Sequence, residues 1–221
     1  MEQKLKELVD RLKSAFGQRL TSVILYGSGA SQELDSLSDL NILCVIDRMD
    51  RGVLAAAEPI FRWWRGLNAT LPILMTAAEV AKSTDCFPVE FNDMKERRRV
   101  LHGEDVIANL AIDPHFYRAQ VEYELRSKSL KLREQAAGLF SQPDALVKLC
   151  AESVSTFCVL GRHALRLAGY DCVPAKREVV RALEQSLGRE LGAFTTLIDI
   201  REGKRTSPVD DAAGLFDEYR L

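Results

Sequence analysis

The sequence predicts an α+β protein in two parts, a mixed sheet with flanking helices over residues 1–108 and an all-α helical bundle over residues 109–221. Two observations carry that reading. In the first half, short apolar runs rich in β-branched residues alternate with helical patterns, the signature of a sheet of about four or five strands covered by helices. From Asp113-Pro114 onward no strand-like run appears, and apolar residues recur at helical spacing.

Taken in order, MEQKLKELVDRLKSAF reads as a charged amphipathic helix. It lacks the contiguous apolar core and cleavage site of a signal peptide, so a cytoplasmic location is the expectation. Val23 to Tyr26 and Leu40 to Ile46 have the length and branching of buried strands, with Gly27 and Gly29 punctuating a turn after the first. Arg51 to Gly66, rich in Ala, Leu and aromatics, predicts a helix across the sheet. Pro72 to Thr76 reads as a short strand, Ala77 to Ser83 as a helical turn or short helix, Phe87 to Phe91 as another strand, and Arg98 to His102 as a last short one.

The second half opens with Asp113 as N-cap and Pro114 at the first helical position. Tyr117, Val121, Leu125, Leu132, Ala136 and Leu139 extend that helix to roughly 25 residues. A second helix spans Asp144 to Ala168, with Gly169 suited to its C-terminal cap. Pro174 to Leu187 and Arg189 to Arg201 complete an antiparallel bundle of four, and SPVDDAAGLFDEYRL has room for a further partial helix.

Bulk properties exclude several function classes. A length of 221 residues suffices for two domains, and a net charge of −2 supplies no global basic field, so there is no strong nucleic-acid signal. The five cysteines, at 44, 86, 150, 158 and 172, form no CxxC pair, which argues against a zinc knuckle or a disulfide framework. Cys44, Cys150 and Cys158 sit in apolar runs and read as small buried hydrophobes. Ala145 to Ala168 is broken by Lys148, Glu152, Arg162 and His163, making it a buried helix rather than a membrane span.

The most informative segment is VILYGSGASQELDSLSDLNILCV, residues 23–45. Ten residues separate Ser28 from Asp39, which heads the second apolar run together with Asn41. A strand has side-chain period two, so Asp39 and Asn41 point to one face. A carboxylate beside an amide carbonyl, opposite a Gly-Ser turn whose N–H groups can face an anion, suits a metal–phosphate site.

This segment resembles the nucleotidyltransferase superfamily that includes DNA polymerase β and the aminoglycoside nucleotidyltransferases. Gly27, Ser28 and Asp39 match its signature, while Asn41 stands where the family has a second carboxylate. The resemblance implies a nucleotidyltransferase-type sheet followed by a substrate-binding or HEPN-like helical domain. It also implies transfer of a nucleoside monophosphate, AMP from ATP as the expected donor, to an acceptor hydroxyl. Two Mg²⁺ ions about 4 Å apart would assist, held by Asp39, Asn41 and a third ligand from a later strand. Gly27, Ser28 and Gly29 would cradle the triphosphate.

Glu90, between Val89 and Phe91 in the run read as a strand, is the candidate third ligand and general base. Asp93 is the reserve, and a solvent-facing strand-edge Glu is the plain alternative. Because Asn41 offers Mg²⁺ a neutral oxygen where a charge is expected, a catalytically impaired nucleotide-binding or antitoxin-like module is the competing class. The acceptor stays open. Other features carry less: Lys95, Arg97, Arg98 and Arg99 read as a solvated charged face or a phosphate contact. Arg98 and His102 form an isolated R-x-x-x-H. Trp63 and Trp64 read as packing residues or the flank of a base pocket, and Glu122 and Glu124 as contacts for a basic acceptor.

Overall fold

The computed structural model describes residues 1–30, 40–171, 175–205 and 209–220, with the Ser28 side chain left out. The chain forms two compact units, Met1–Tyr117 and Arg118–Leu221.

The first unit is built on four strands in the order β3-β2-β1-β4. β1 (Leu20–Tyr26) runs antiparallel to β2 (Asn41–Ile46) and to β4 (Arg98–Gly103), whereas β2 and β3 (Ile73–Thr76) are parallel. The mixed sheet is the one expected from the sequence. The parallel pair follows from its connection: a β2-to-β3 crossover needs a helix to return the chain, and α2 (Arg51–Gly66) is that helix. Asp50 caps it by accepting from Val53 N–H at 2.9 Å, and Val53, Ala57, Ile60 and Trp64 form its buried stripe.

β1 and β2 are apolar on both faces because both faces are covered. On one side, α1 (Glu2–Phe16) and α2 pack Leu8, Leu12 and Trp64 against Val23, Leu25, Ile42, Cys44 and Ile46. On the other, Ile24, Leu43 and Val45 meet Val80, Phe91, Met94 and Ile107. Val80 belongs to α3 (Ala77–Lys82), which begins in a reciprocal capping box. Thr76 N–H donates to the Glu79 carboxylate at 2.7 Å and Glu79 N–H to the Thr76 hydroxyl at 3.1 Å.

Phe91 and Met94 belong to α4 (Pro88–Glu96), and here the sequence reading needs correction: residues 87–91 are not a strand. Pro88 occupies the first turn of a helix, where its missing N–H is not required. Phe91 and Met94, three apart, share its buried face, and the Asn92 side-chain amide donates back to the Pro88 carbonyl at 2.8 Å.

The second unit is helical, as expected. Its first helix, α5 (Pro114–Ala136), starts in the last residues of the first unit, where the Asp113 carboxylate accepts from His115 N–H at 2.7 Å. α6 (Pro143–Leu167) is the central element, packed by α7 (Lys176–Leu187), α8 (Gly192–Arg201) and α9 (Ala212–Tyr219). Its core joins Leu146, Cys150, Val154 and Cys158 to Val180, Leu197, Ile198 and Phe216. The Tyr219 hydroxyl, brought inside by α9, lies 2.8 Å from Ser153 Oγ. The terminal segment thus forms a helix that completes the core, where the four-helix expectation left only a partial one.

Burial pushes the Cys44 thiol up to about 12 and those of Cys150 and Cys158 to about 11, so these three are inert packing groups. No helix among the described residues is long and apolar enough to cross a membrane.

Candidate active site

The Gly-Ser turn follows β1 directly, as a short 3₁₀ segment Gly27–Ala30. Gly27 adopts φ of 73°, a left-handed conformation that favours glycine. A Cβ placed there would lie 3.3 Å from Asn41 Nδ2, so the turn and the head of β2 touch through the asparagine amide. The Gly27 N–H donates to the Arg97 carbonyl at 3.0 Å, which fastens the turn to the start of β4. That bond occupies one of the N–H groups expected to face an anion. The Ser28 side chain and Asp39 lie outside the described residues.

Sheet register explains why Asn41 stands where it does. It is the cross-strand partner of Tyr26, and Tyr26 is also the partner of Arg98. Side chains alternate along a strand, so Asn41 shares a face with Leu43 and Val45, and Tyr26 shares it with Ile24. This is the face covered by α4. The Tyr26 phenol is raised to about 12, first by burial and then by the negative charges of Glu90 and Asp93.

Both acids are therefore near the end of β1, on a helix rather than on the strand expected. They sit three residues apart, on one side of α4. Glu90 is solvent-exposed in the first turn and Asp93 half-buried. The structure thus brings Gly27, Tyr26, Asn41, Glu90 and Asp93 to one end of the sheet. Tyr26 was not singled out from the sequence. The signal that could have found it was its place immediately before the Gly-Ser pair, at the end of the aliphatic run Val23 to Leu25.

Other sequence candidates serve elsewhere. The Lys95 ammonium donates to the Leu110 carbonyl at 2.7 Å, Arg98 pairs with Asp105 at 2.9 Å and Arg99 with Glu2 at 2.9 Å. Trp63 and Trp64 lie on the opposite side of the sheet: the Trp64 indole donates to the Thr70 carbonyl at 2.8 Å, and Trp63 is stacked under the Arg11 guanidinium at 4.2 Å. Glu122 pairs with Arg126 at 2.8 Å and Glu124 with Lys128 at 3.6 Å. His163 is buried in α6.

A Mg²⁺ ion takes hard oxygen ligands and keeps several waters, and the Asn41 carbonyl with the Glu90 and Asp93 carboxylates supplies donors of that kind. Among the described residues no three His, Cys, Asp or Glu side chains form a metal-binding group.

With this geometry in hand, the solved structures decide the fold. A spectinomycin adenyltransferase from Enterococcus faecialis, crystallised with ATP and spectinomycin, superposes with a TM-score of 0.60 over 99% of this chain and 99% of its own, at 14% sequence identity. The fold is that of a nucleotidyltransferase. No protein-family model matches the sequence, and no curated protein matches it either.

Proposed function

We propose that the protein is a Mg²⁺-dependent nucleotidyltransferase that moves AMP from ATP to an acceptor hydroxyl. The observation that carries this is the convergence at one end of the sheet: Asn41 rests against Gly27 of the Gly-Ser turn, and the Glu90 charge is felt at Tyr26, the strand partner of Asn41.

In this reading the turn after β1 receives the triphosphate through its N–H groups beyond Gly27, together with Ser28. Asp39, Asn41 and Glu90 are the residues that would hold Mg²⁺, which when bound neutralises charge on the phosphates and on the leaving group. Glu90, exposed at the start of α4, takes the proton of the acceptor hydroxyl. The acceptor oxygen forms a bond to the α-phosphorus as the bond from that phosphorus to the bridging oxygen breaks. Pyrophosphate leaves with the electron pair. Asp93, three residues on, is the second base within reach of the same space.

Asn41 supplies a neutral ligand, so affinity for the ion is lower than with a carboxylate. Asn41→Asp restores the charge. The test is pyrophosphate release from ATP with Mg²⁺ or Mn²⁺ against a panel of hydroxyl-bearing acceptors, spectinomycin first because the structurally similar enzyme was crystallised with it. Turnover in the wild type, faster in Asn41→Asp and lost in Glu90→Gln, is the expected result. ATP binding without turnover in wild type and Asn41→Asp alike would instead assign a nucleotide-binding module that keeps the fold.

A further inference from the structure

The helical unit contains a cavity of about 280 Å³ lined by α5, α6, α7, α8 and α9 that the nucleotidyl-transfer reading does not use. Its walls are apolar, with Leu132 from α5, Phe157 from α6, Leu183 from α7 and Phe194 from α8. Gly161 helps to shape it: a Cβ there would meet Leu183 Cδ1 at 2.8 Å, so the missing side chain is what lets α7 approach α6. The space adjoins a shallower cleft of about 400 Å³ that shares Leu125, Ser129 and Arg220 with it and adds Arg126, Leu130 and Arg133.

The cleft is basic. Three guanidiniums, those of Arg126, Arg133 and Arg220, stand there against two paired carboxylates, Glu122 on Arg126 and Asp217 on Arg220. Leu130, lining the cleft, and Leu187, lining the cavity, are exposed. An apolar hole opening onto guanidiniums is complementary to a ligand with an alkyl tail and an anionic head. Guanidinium matches carboxylate in geometry as well as charge. With a water-sized group occupying about 30 Å³ in a liquid, the cavity accommodates a tail of at most about nine such groups.

From this geometry we infer that the helical unit binds a medium-chain aliphatic carboxylate, tail between α5, α6 and α7 and head at Arg220 and its neighbours. The site lies wholly within residues 118–221 and is independent of the transfer reaction.

Calorimetric titration of the full-length protein with octanoate, 1-octanol and octylammonium tests it. Octanoate saturates one site and binds about tenfold tighter than octylammonium, the scale of one charge-assisted hydrogen bond. Arg220→Gln brings octanoate down to the affinity of octanol. Ser129→Trp, which fills the mouth, abolishes binding of all three with the helical circular dichroism unchanged. Leu187→Glu alters only an exposed edge residue, so it does not depend on a tolerated core change, and it weakens octanoate while strengthening octylammonium. Absence of saturable octanoate binding up to about 1 mM, or affinities that neither Arg220→Gln nor Leu187→Glu moves, overturns the assignment.

Discussion

Gly27→Ala probes the contact that organises the candidate site. Two costs add in the folded state. The backbone there has φ of 73°, and alanine in the left-handed region costs about 1 kcal/mol more than glycine. The new Cβ also lies 3.3 Å from Asn41 Nδ2, a tight approach that the amide must relieve by moving a few tenths of an ångström. The expected loss is about 1–2 kcal/mol, equivalent to a melting shift of roughly 3–8 °C for a domain of this size.

Differential scanning calorimetry of Gly27→Ala, Asn41→Ser and the double variant separates the terms. Asn41→Ser shortens the side chain and frees the space, so the double variant loses less than the sum of the singles, as contacting residues do. The conformational part persists in both backgrounds. Gly66→Ala, at the last residue of α2 with nothing within 4 Å of its added Cβ, is the control and changes stability by less than about 1 kcal/mol. A Gly27→Ala protein that melts with the wild type, or strictly additive variants, would refute the argued contact between the turn and Asn41.

Gly103→Ala is far more severe, because its Cβ would fall 1.9 Å from the Thr21 carbonyl oxygen at φ of 74°; a loss above about 4 kcal/mol, read as failure to recover soluble protein or as a collapsed urea midpoint, is expected. Phe91→Ala removes a side chain only 2% exposed from the α4 side of the sheet and costs about 3–5 kcal/mol, with faster amide exchange along α4 as its local signature. Glu202 is held down from 4.5 to about 2 by the Lys204 ammonium first and the Arg177 guanidinium second. A depressed carboxylate stabilises above its unfolded pKa and loses that contribution as pH falls through the folded one. Glu202→Gln therefore loses about 0.5–1 kcal/mol of stability at neutral pH for so exposed a group, read as a lower urea midpoint, and its difference from the wild type disappears between pH 4.5 and about 2.

Much of this molecule is legible in the chain because it rests on local patterns. The two apolar strands on either side of the Gly-Ser turn, the helix spanning Arg51 to Gly66, and the change to helices after Asp113-Pro114 follow from periodicity, turn residues and proline placement. Residues 87–91 show where such patterns stop deciding. A short apolar run is compatible with a strand or with a buried helical turn, and the choice was made by what the sheet offers to cover it. Phe91 and Met94 reach Ile24, Leu43 and Val45 together only at helical spacing.

The site needed the tertiary structure even more. No local rule pairs Tyr26 with Asn41, because strand register depends on which face each strand buries and on the connection between them. Nor does any local rule place Glu90 near Tyr26, since its position follows from a helix docked on the sheet by Phe91 and Met94. The sequence by itself determined the donors on offer: a Gly-Ser turn, an asparagine where a carboxylate was expected, and acids later in the chain. Only packing decided that Asn41, Tyr26 and Glu90 converge, because long-range proximity arises from burying shared apolar faces and not from spacing along the chain.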